Sequence, residues 1–145
     1  IADVNRAKLE LERLKRIAKA EGIYNGTRFR DEIAKLDVDV VALEMMVLRV
    51  LSAEKSGKNS LDVAGLLKIR GSEIQQRYAE LMMLAAGPYA VPLIREAMEA
   101  GWQGDQVGVA YCAPLASTYF NMRKTTIYGG SNEVQRNIVA QTVLG

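Results

Sequence analysis

Residues 33–51 have the sequence IAKLDVDVVALEMMVLRVL, in which apolar side chains return at three- and four-residue steps. The main series is Ile33, Leu36, Val40, Leu43, Val47 and Val50. This period is that of an α-helix with one apolar face. The apolar stripe is widened by Val41, Met45, Leu48 and Leu51. Because a wide stripe needs neighbours on several sides, we expect this helix to be central in the fold.

Two further long helices are predicted, one on each side of this segment. The preceding helix carries the apolar series Ile1, Val4, Ala7, Leu11, Leu14 and Ala18. It should end at Gly22, and the pair Asn25-Gly26 should supply further positive-φ positions in the loop. The following helix should run over residues 61–86, with Ser60 as a candidate N-cap and Gly87-Pro88 as its stop. Its inner face should carry Val63, Leu67, Ile74, Tyr78, Leu81 and Ala85.

The pattern weakens from residue 91 onward. A short helical stretch is predicted over residues 93–100, followed by a loop with Gly101, Gly104 and Gly108. Pro114 suits the first turn of a short helix through Leu115, Tyr119 and Met122. A final helix should span residues 132–144, with Val134, Ile138 and Val139 facing inward. Since short links join long helices, the sequence predicts an all-α, up-and-down four-helix bundle with additional short helices.

Composition excludes several classes of function. The 19 basic and 17 acidic residues are interleaved, so a nucleic-acid partner is not expected. Histidine is absent, which removes the Ser/His/Asp and Cys/His nucleophile arrangements and the common histidine metal sites. Charges interrupt every apolar stretch, so no membrane-spanning helix is expected. Cys112 is the only cysteine, which excludes an internal disulfide and fits a cytoplasmic location.

The segment most informative about function is residues 126–136, TIYGGSNEVQR, in which an aromatic side chain and two glycines lead into a helix. The glycines permit close approach to the backbone. The unpaired amides and partial positive charge of the helix N-terminus suit a phosphate or a developing oxyanion. The structural alternative is a glycine loop that feeds a helix capped by Ser131 or Asn132.

Tyr128 to Arg136, continuing into residues 137–140, resembles the C-terminal signature of acyl-CoA dehydrogenases, approximately Tyr-Glu-Gly-Thr-Ser-Glu-Ile-Gln-Arg. Residues 119–121, 129–133 and 87–89 are similar to the bacterial pimeloyl-CoA dehydrogenase large-subunit type of this family. The resemblance implies oxidation of an acyl-CoA thioester to the 2,3-enoyl-CoA with FAD as cofactor. It covers the whole chain, strongly at the end and loosely elsewhere.

The resemblance implies site residues at particular positions. Ser131 and Glu133 correspond to residues that the family uses at FAD, near its phosphates and adenosine. Tyr128, Gly129 and Gly130 correspond to the acyl-thioester end of the site. Two weaker correspondences with FAD-contacting motifs give Arg28, in Arg28-Phe29-Arg30, and Gly87, in residues 83–87. For Glu133 and Tyr128, the structural alternatives are a residue that favours the helix dipole and a packed aromatic.

The catalytic base departs from the family pattern, because many members have Glu where this chain has Gly129. Other members hold the base on the first helix of the domain, where Asp3 is the nearest acid present. An acid early in a helix is ordinarily a surface residue that compensates the dipole. Gln75 and Gln76 are interpreted as residues of the bundle surface.

We therefore predict that residues 1–145 form one helical C-terminal domain of a longer enzyme, whose N-terminal helical and middle β domains are not in this sequence. The domain should cover FAD and mediate contacts in a homo- or hetero-oligomer, a dimer or a tetramer. Acyl-CoA and an electron acceptor are the expected partners, and the isolated domain should be inactive. Two alternatives are a non-catalytic partner subunit of a heteromeric dehydrogenase and a stand-alone helical interaction module.

Overall fold

A computed structural model of the protein describes residues 3–56 and 61–145, and within these ranges it contains helices and turns without a strand. The α-helices are α1 (Val4–Ala20), α2 (Thr27–Lys55), α3 (Leu61–Ala86), α4 (Leu115–Met122) and α5 (Asn132–Leu144). Four single-turn 3₁₀ helices lie at Gly87–Ala90, Glu96–Met98, Ala110–Cys112 and Arg123–Thr126. The predicted all-α class is confirmed, and α3 and α5 have the predicted bounds.

The three long helices run antiparallel in sequence order, as their ion pairs show. Lys8 Nζ lies 2.6 Å from Glu44 Oε1, and Lys15 Nζ lies 3.1 Å from Asp37 Oδ2. As the residue numbers rise along α1, those of their partners fall along α2, so the two helices run in opposite directions. Arg77 in the second half of α3 forms an ion pair with Glu32 near the start of α2, as antiparallel neighbours require. The predicted up-and-down arrangement is therefore confirmed.

Local signals set most of the helix ends. Gly22 follows α1 with φ +72°, as predicted. Asn25 and Gly26 lie in the predicted loop between α1 and α2, but positive φ among the described residues occurs only at glycines and Gly26 itself has φ −63°. Gly26 is the N-cap of α2, and a chain enters a helix through extended backbone rather than a left-handed turn. The predicted N-cap Ser60 lies outside the described residues.

The central helix is α3, and the expectation that α2 would be central is wrong. α3 packs against α1, α2, α4 and α5, whereas the main contacts of α2 are with α1 and α3. The buried residues of α2 are Ile33, Leu36, Val40, Leu43 and Val50. The residues that widen its stripe, Val41, Met45, Leu48 and Leu51, are about half exposed. The second apolar series of α2 therefore faces away from the described core.

Residues 87–113 form a long connection between α3 and α4, and most of them are exposed. The helix predicted over residues 93–100 is wrong, because only the 3₁₀ turn Glu96–Met98 forms there. No residue of this turn is buried, so packing supplies no driving force to extend it. The Tyr111 hydroxyl donates a hydrogen bond to the Glu21 carboxylate, which raises the pKa of Tyr111 to about 12. This bond joins the connection between α3 and α4 to the end of α1.

The orientation of α5 also differs from the prediction. Val134 and Ile138 are exposed, although both were expected to face inward. The face of α5 toward α3 carries the buried Asn132 and the partly buried Gln135 and Val139. A Cβ atom on Gly65 would lie 3.0 Å from the side chains of both Gln135 and Val139. Glycine at position 65 therefore lets α5 approach α3 closely.

Candidate functional site

The glycine turn, residues 127–131, connects the last 3₁₀ turn to α5 and lies on the surface. Gly129 has φ +69° and Gly130 has φ +86°, conformations that residues with a Cβ atom rarely adopt. Tyr128, Gly129 and Gly130 are all exposed. The turn is therefore open to a ligand, as a binding function requires.

The backbone of the turn offers unused hydrogen-bond donors. In the described parts of the chain, no atom accepts a hydrogen bond from the amides of Gly129, Gly130 or Ser131. No heavy atom lies within 4 Å of the position that a Cβ atom on Gly129 would occupy. Free amides beside open space suit an oxygen atom that carries or develops negative charge.

At the start of α5, Ser131 and Glu133 are already engaged locally. Ser131 is the N-cap, and its hydroxyl oxygen accepts a hydrogen bond from the Val134 amide at 3.3 Å. The pKa of Glu133 is lowered by a hydrogen bond from its own amide and by one from the Ser131 hydroxyl, with smaller effects of the Arg136 and Lys68 charges. A carboxylate at this position interacts favourably with the dipole of α5, which is the structural alternative given for Glu133. Its negative charge also makes this first turn better suited to a ligand hydroxyl than to a phosphate.

Tyr128 is the aromatic residue of the turn. Its side chain is 55% exposed, so it is not a fully packed aromatic. Burial raises the pKa of Tyr78, Glu10 and Tyr128 raise it further, and Arg6 opposes them. The phenol groups of Tyr128 and Tyr78 are therefore close enough to interact electrostatically.

The remaining predicted site residues lie elsewhere. Asp3 is the N-cap of α1, and its Oδ1 accepts a hydrogen bond from the Arg6 amide at 2.9 Å. Arg28 is exposed in the first turn of α2, and Gly87 follows the end of α3. Because Glu32 of α2 pairs with Arg77 of α3, Arg28 and Gly87 share one end of the bundle. Gly87 lies about 16 Å along the helix axis from Gln76, which contacts the segment before the turn.

Sequence interpretation missed the residues of α3 that contact both ends of the turn, and it was wrong about Gln76. Gln76 is partly buried, and its side-chain amide donates to the carbonyls of Met122 and Arg123, each at 3.2 Å. Lys68 Nζ donates to Asn132 Oδ1 at 2.8 Å, and Ser72 Oγ lies 3.3 Å from the same oxygen. The sequence did contain one signal for these residues, the wide apolar surface of α3. A polar residue within such a helix needs a hydrogen-bond partner.

The fold and turn together define a class of protein, a helical bundle that presents backbone donors at the N-terminus of its last helix. Residues 29–144 match the family described as acyl-CoA dehydrogenase, C-terminal domain. Since the match covers most of the chain, the protein belongs to this family. The resemblance seen in residues 128–136 is therefore confirmed.

A curated relative and two solved structures are similar to this chain. Acyl-CoA dehydrogenase IpdE1 of Mycolicibacterium smegmatis is 26% identical over 136 residues, which cover 94% of this chain and 30% of the relative. The Tcur3481-Tcur3483 steroid ACAD has a TM-score of 0.76 and 18% identity over 98% of this chain and 34% of its own. The FAD complex of PigA has a TM-score of 0.64 and 16% identity over 94% of this chain and 34% of its own.

At such low identities the two structures establish a shared fold only. The chain spans about a third of the length of each of these proteins. Among the residues that the structure describes, no helix has the length and apolarity to cross a membrane. The same residues contain no group of three or more acidic, cysteine or histidine side chains placed to hold a metal ion.

Proposed function

We propose that this chain is the C-terminal helical domain of a longer, FAD-dependent acyl-CoA dehydrogenase, which converts an acyl-CoA thioester to its 2,3-enoyl form. The observation that carries this proposal is the open glycine turn with three unused amides, in a chain of this family. The similarity to IpdE1, which is named an acyl-CoA dehydrogenase, and to PigA, solved in complex with FAD, supports it.

The residues present fit a flavin and a thioester at the turn. Gly129 leaves open space, and the amides of residues 129–131 can donate to the thioester carbonyl oxygen. Donors placed at this oxygen stabilise the negative charge that develops when the α-proton leaves. When bound, FAD would accept the hydride from the β-carbon. Ser131 and Glu133 would contact the hydroxyl-bearing part of FAD, and Tyr128 would cover the thioester end of the site.

We further propose that the carboxylate base comes from a part of the enzyme outside these 145 residues. Gly129, at the usual position of the base, has no side chain. Asp3 is committed to capping α1, and the lowered pKa of Glu133 makes it a weak base. Arg28 and Gly87, at the far end of the bundle, would serve a second cofactor contact distinct from the one at the turn.

The complete protein tests this proposal. We expect it to purify yellow and to transfer electrons from a saturated acyl-CoA to an artificial acceptor. The substrate panel should include short, long and ring-bearing acyl groups, because one structural neighbour is named a steroid ACAD. Protein that neither binds added FAD nor oxidises any acyl-CoA would refute the proposal. Protein that binds FAD without oxidising any substrate would favour the alternative of a non-catalytic partner subunit, to which Gly129 also points.

We propose that the exposed stripe on α2, which consists of Val38, Val41, Met45 and Leu48, contacts a second subunit. These residues follow each other at steps of three and four, so they form one continuous apolar line on the helix. Exposed apolar lines of this kind are typical of helix–helix interfaces.

Charging the stripe should therefore lower the mass of the assembly. We expect Val41→Lys combined with Met45→Lys to shift the complete protein to a smaller species in sedimentation velocity, because a lysine buried at an interface is left without a partner. The matched control is Leu9→Lys, an exposed leucine of α1. An unchanged sedimentation coefficient in the double variant would exclude the stripe as an interface.

A further inference from the structure

We infer that Lys68, Ser72 and Gln76 form a polar ladder on α3 that fixes the glycine turn at both of its ends, and that they are positioning residues for the proposed site. The three residues are four positions apart, so they lie on one face of α3 and span about 12 Å. The expected effect of these residues on catalysis rests on the proposed function. The geometry of the ladder itself is independent of that function.

Gln76 holds the segment that enters the turn. Besides its bonds to the carbonyls of Met122 and Arg123, its Nε2 lies 3.3 Å from Thr126 Oγ1. Arg123 returns the interaction, since its Nη2 donates to the Gln76 carbonyl at 3.1 Å. The Arg123 guanidinium also lies 4.4 Å from the centre of the Tyr119 ring. Residues 122–126 are thus tied to α3 directly before the turn.

Lys68 and Ser72 hold the segment that leaves the turn. Both contact Oδ1 of Asn132, which is the first residue of α5 and is 4% exposed. A lysine beside a helix N-terminus is electrostatically unfavourable, because both carry positive charge. Its amide partner is nevertheless buried, and loss of the ammonium would leave that oxygen with only the Ser72 hydroxyl at 3.3 Å, whose single proton has a closer acceptor in the Ile69 carbonyl at 2.8 Å.

Between these two anchored ends, the turn has little support of its own. At its two glycines, the one side-chain hydrogen bond among the described residues runs from Gln135 Nε2 to the Gly129 carbonyl at 3.1 Å. Gly129 and Gly130 have no side chains that could pack. The direction of the free amides therefore depends on the ladder, and the ladder in turn connects them to the central helix.

The test uses Lys68→Met and Gln76→Leu in the complete, FAD-loaded protein. Both substitutions remove the donors and keep most of the side-chain length. We expect faster hydrogen exchange in a peptide that covers residues 127–133. We also expect a kcat lower by roughly 10- to 100-fold, with a smaller change in KM, because displaced donors act mainly on the transition state. Lys68→Arg keeps a charged donor and should recover part of both losses.

Two control variants and one replacement variant make the result decisive. Lys35→Met and Gln141→Leu make the same changes at exposed positions and should leave exchange in the turn unaltered. Should either ladder variant fail to fold, the milder Ser72→Ala replaces it, with a smaller effect expected. Wild-type exchange in the turns of Lys68→Met and Gln76→Leu, or no recovery in Lys68→Arg, would overturn the ladder. If wild-type protein instead shows no FAD or activity, the proposed function fails while the exchange comparison still decides the ladder.

Discussion

Replacing Leu81 with alanine is expected to lower the free energy of unfolding by about 2–5 kcal/mol. Leu81 is 1% exposed and lies in the core cluster that joins the helices of the bundle. The alanine would lose the burial of its missing atoms and leave a cavity that close-packed neighbours fill only partly. Urea denaturation of the 145-residue chain, followed by far-UV circular dichroism, measures the change.

Leu84 supplies the matched control, since it is three residues further along the same helix and is 59% exposed. Leu84→Ala makes the identical chemical change, with an expected effect within about 0.5 kcal/mol. The contrast depends on which faces of α3 are covered. Equal destabilisation by the two substitutions would contradict the central position of α3.

Helix positions were predictable because their signals are local. Gly87-Pro88 ends α3, and Ser131 caps α5, and both act within a few residues of the helix end. Both helices have the bounds that these signals predict. The helix predicted over residues 93–100 is wrong for a related reason. Local signals show that a short apolar segment could be helical, but they do not show whether other residues cover it.

The packing of the helices was less predictable than their positions. The apolar content of α2 exceeds that of a one-sided helix, which suggested a central place, yet Met45 and Leu48 are exposed. Periodicity measures how much apolar surface a helix has and does not identify what covers it. The same reason applies to Val134 and Ile138 of α5, because that helix faces α3 with Asn132, which contacts Lys68.

The candidate site was predictable only where it is contiguous in sequence. Residues 128–133 lie together because they follow one another along the chain. The ladder depends on contacts between residues far apart in sequence, 64 positions for Lys68 with Asn132 and 50 for Gln76 with Thr126. A single sequence can show that a polar residue such as Gln76 needs a partner, but it does not identify that partner.

Gly130→Ala is expected to cause a large loss of function, although it adds only one methyl group. Gly130 has φ +86°, which costs a residue with a Cβ atom roughly 1–2 kcal/mol. The new Cβ atom would also lie 2.6 Å from Gln135 Nε2, so the flexible end of Gln135 must move, which weakens its hydrogen bond to the Gly129 carbonyl. We expect the complete enzyme to lose on the order of 100-fold in kcat, because the amide donors of the turn are displaced.

Gly129→Ala separates backbone strain from this collision. Gly129 also has positive φ, but no heavy atom lies within 4 Å of its Cβ position, so alanine there adds strain and keeps the Gln135 bond. Gly129→Ala should therefore lose less kcat than Gly130→Ala. Both alanine variants are then compared in a Gln135→Ala background, where the side chain that collides is absent, and the difference between them should shrink. Equal losses at the two glycines with Gln135 present would show that Gln135 does not hold the turn.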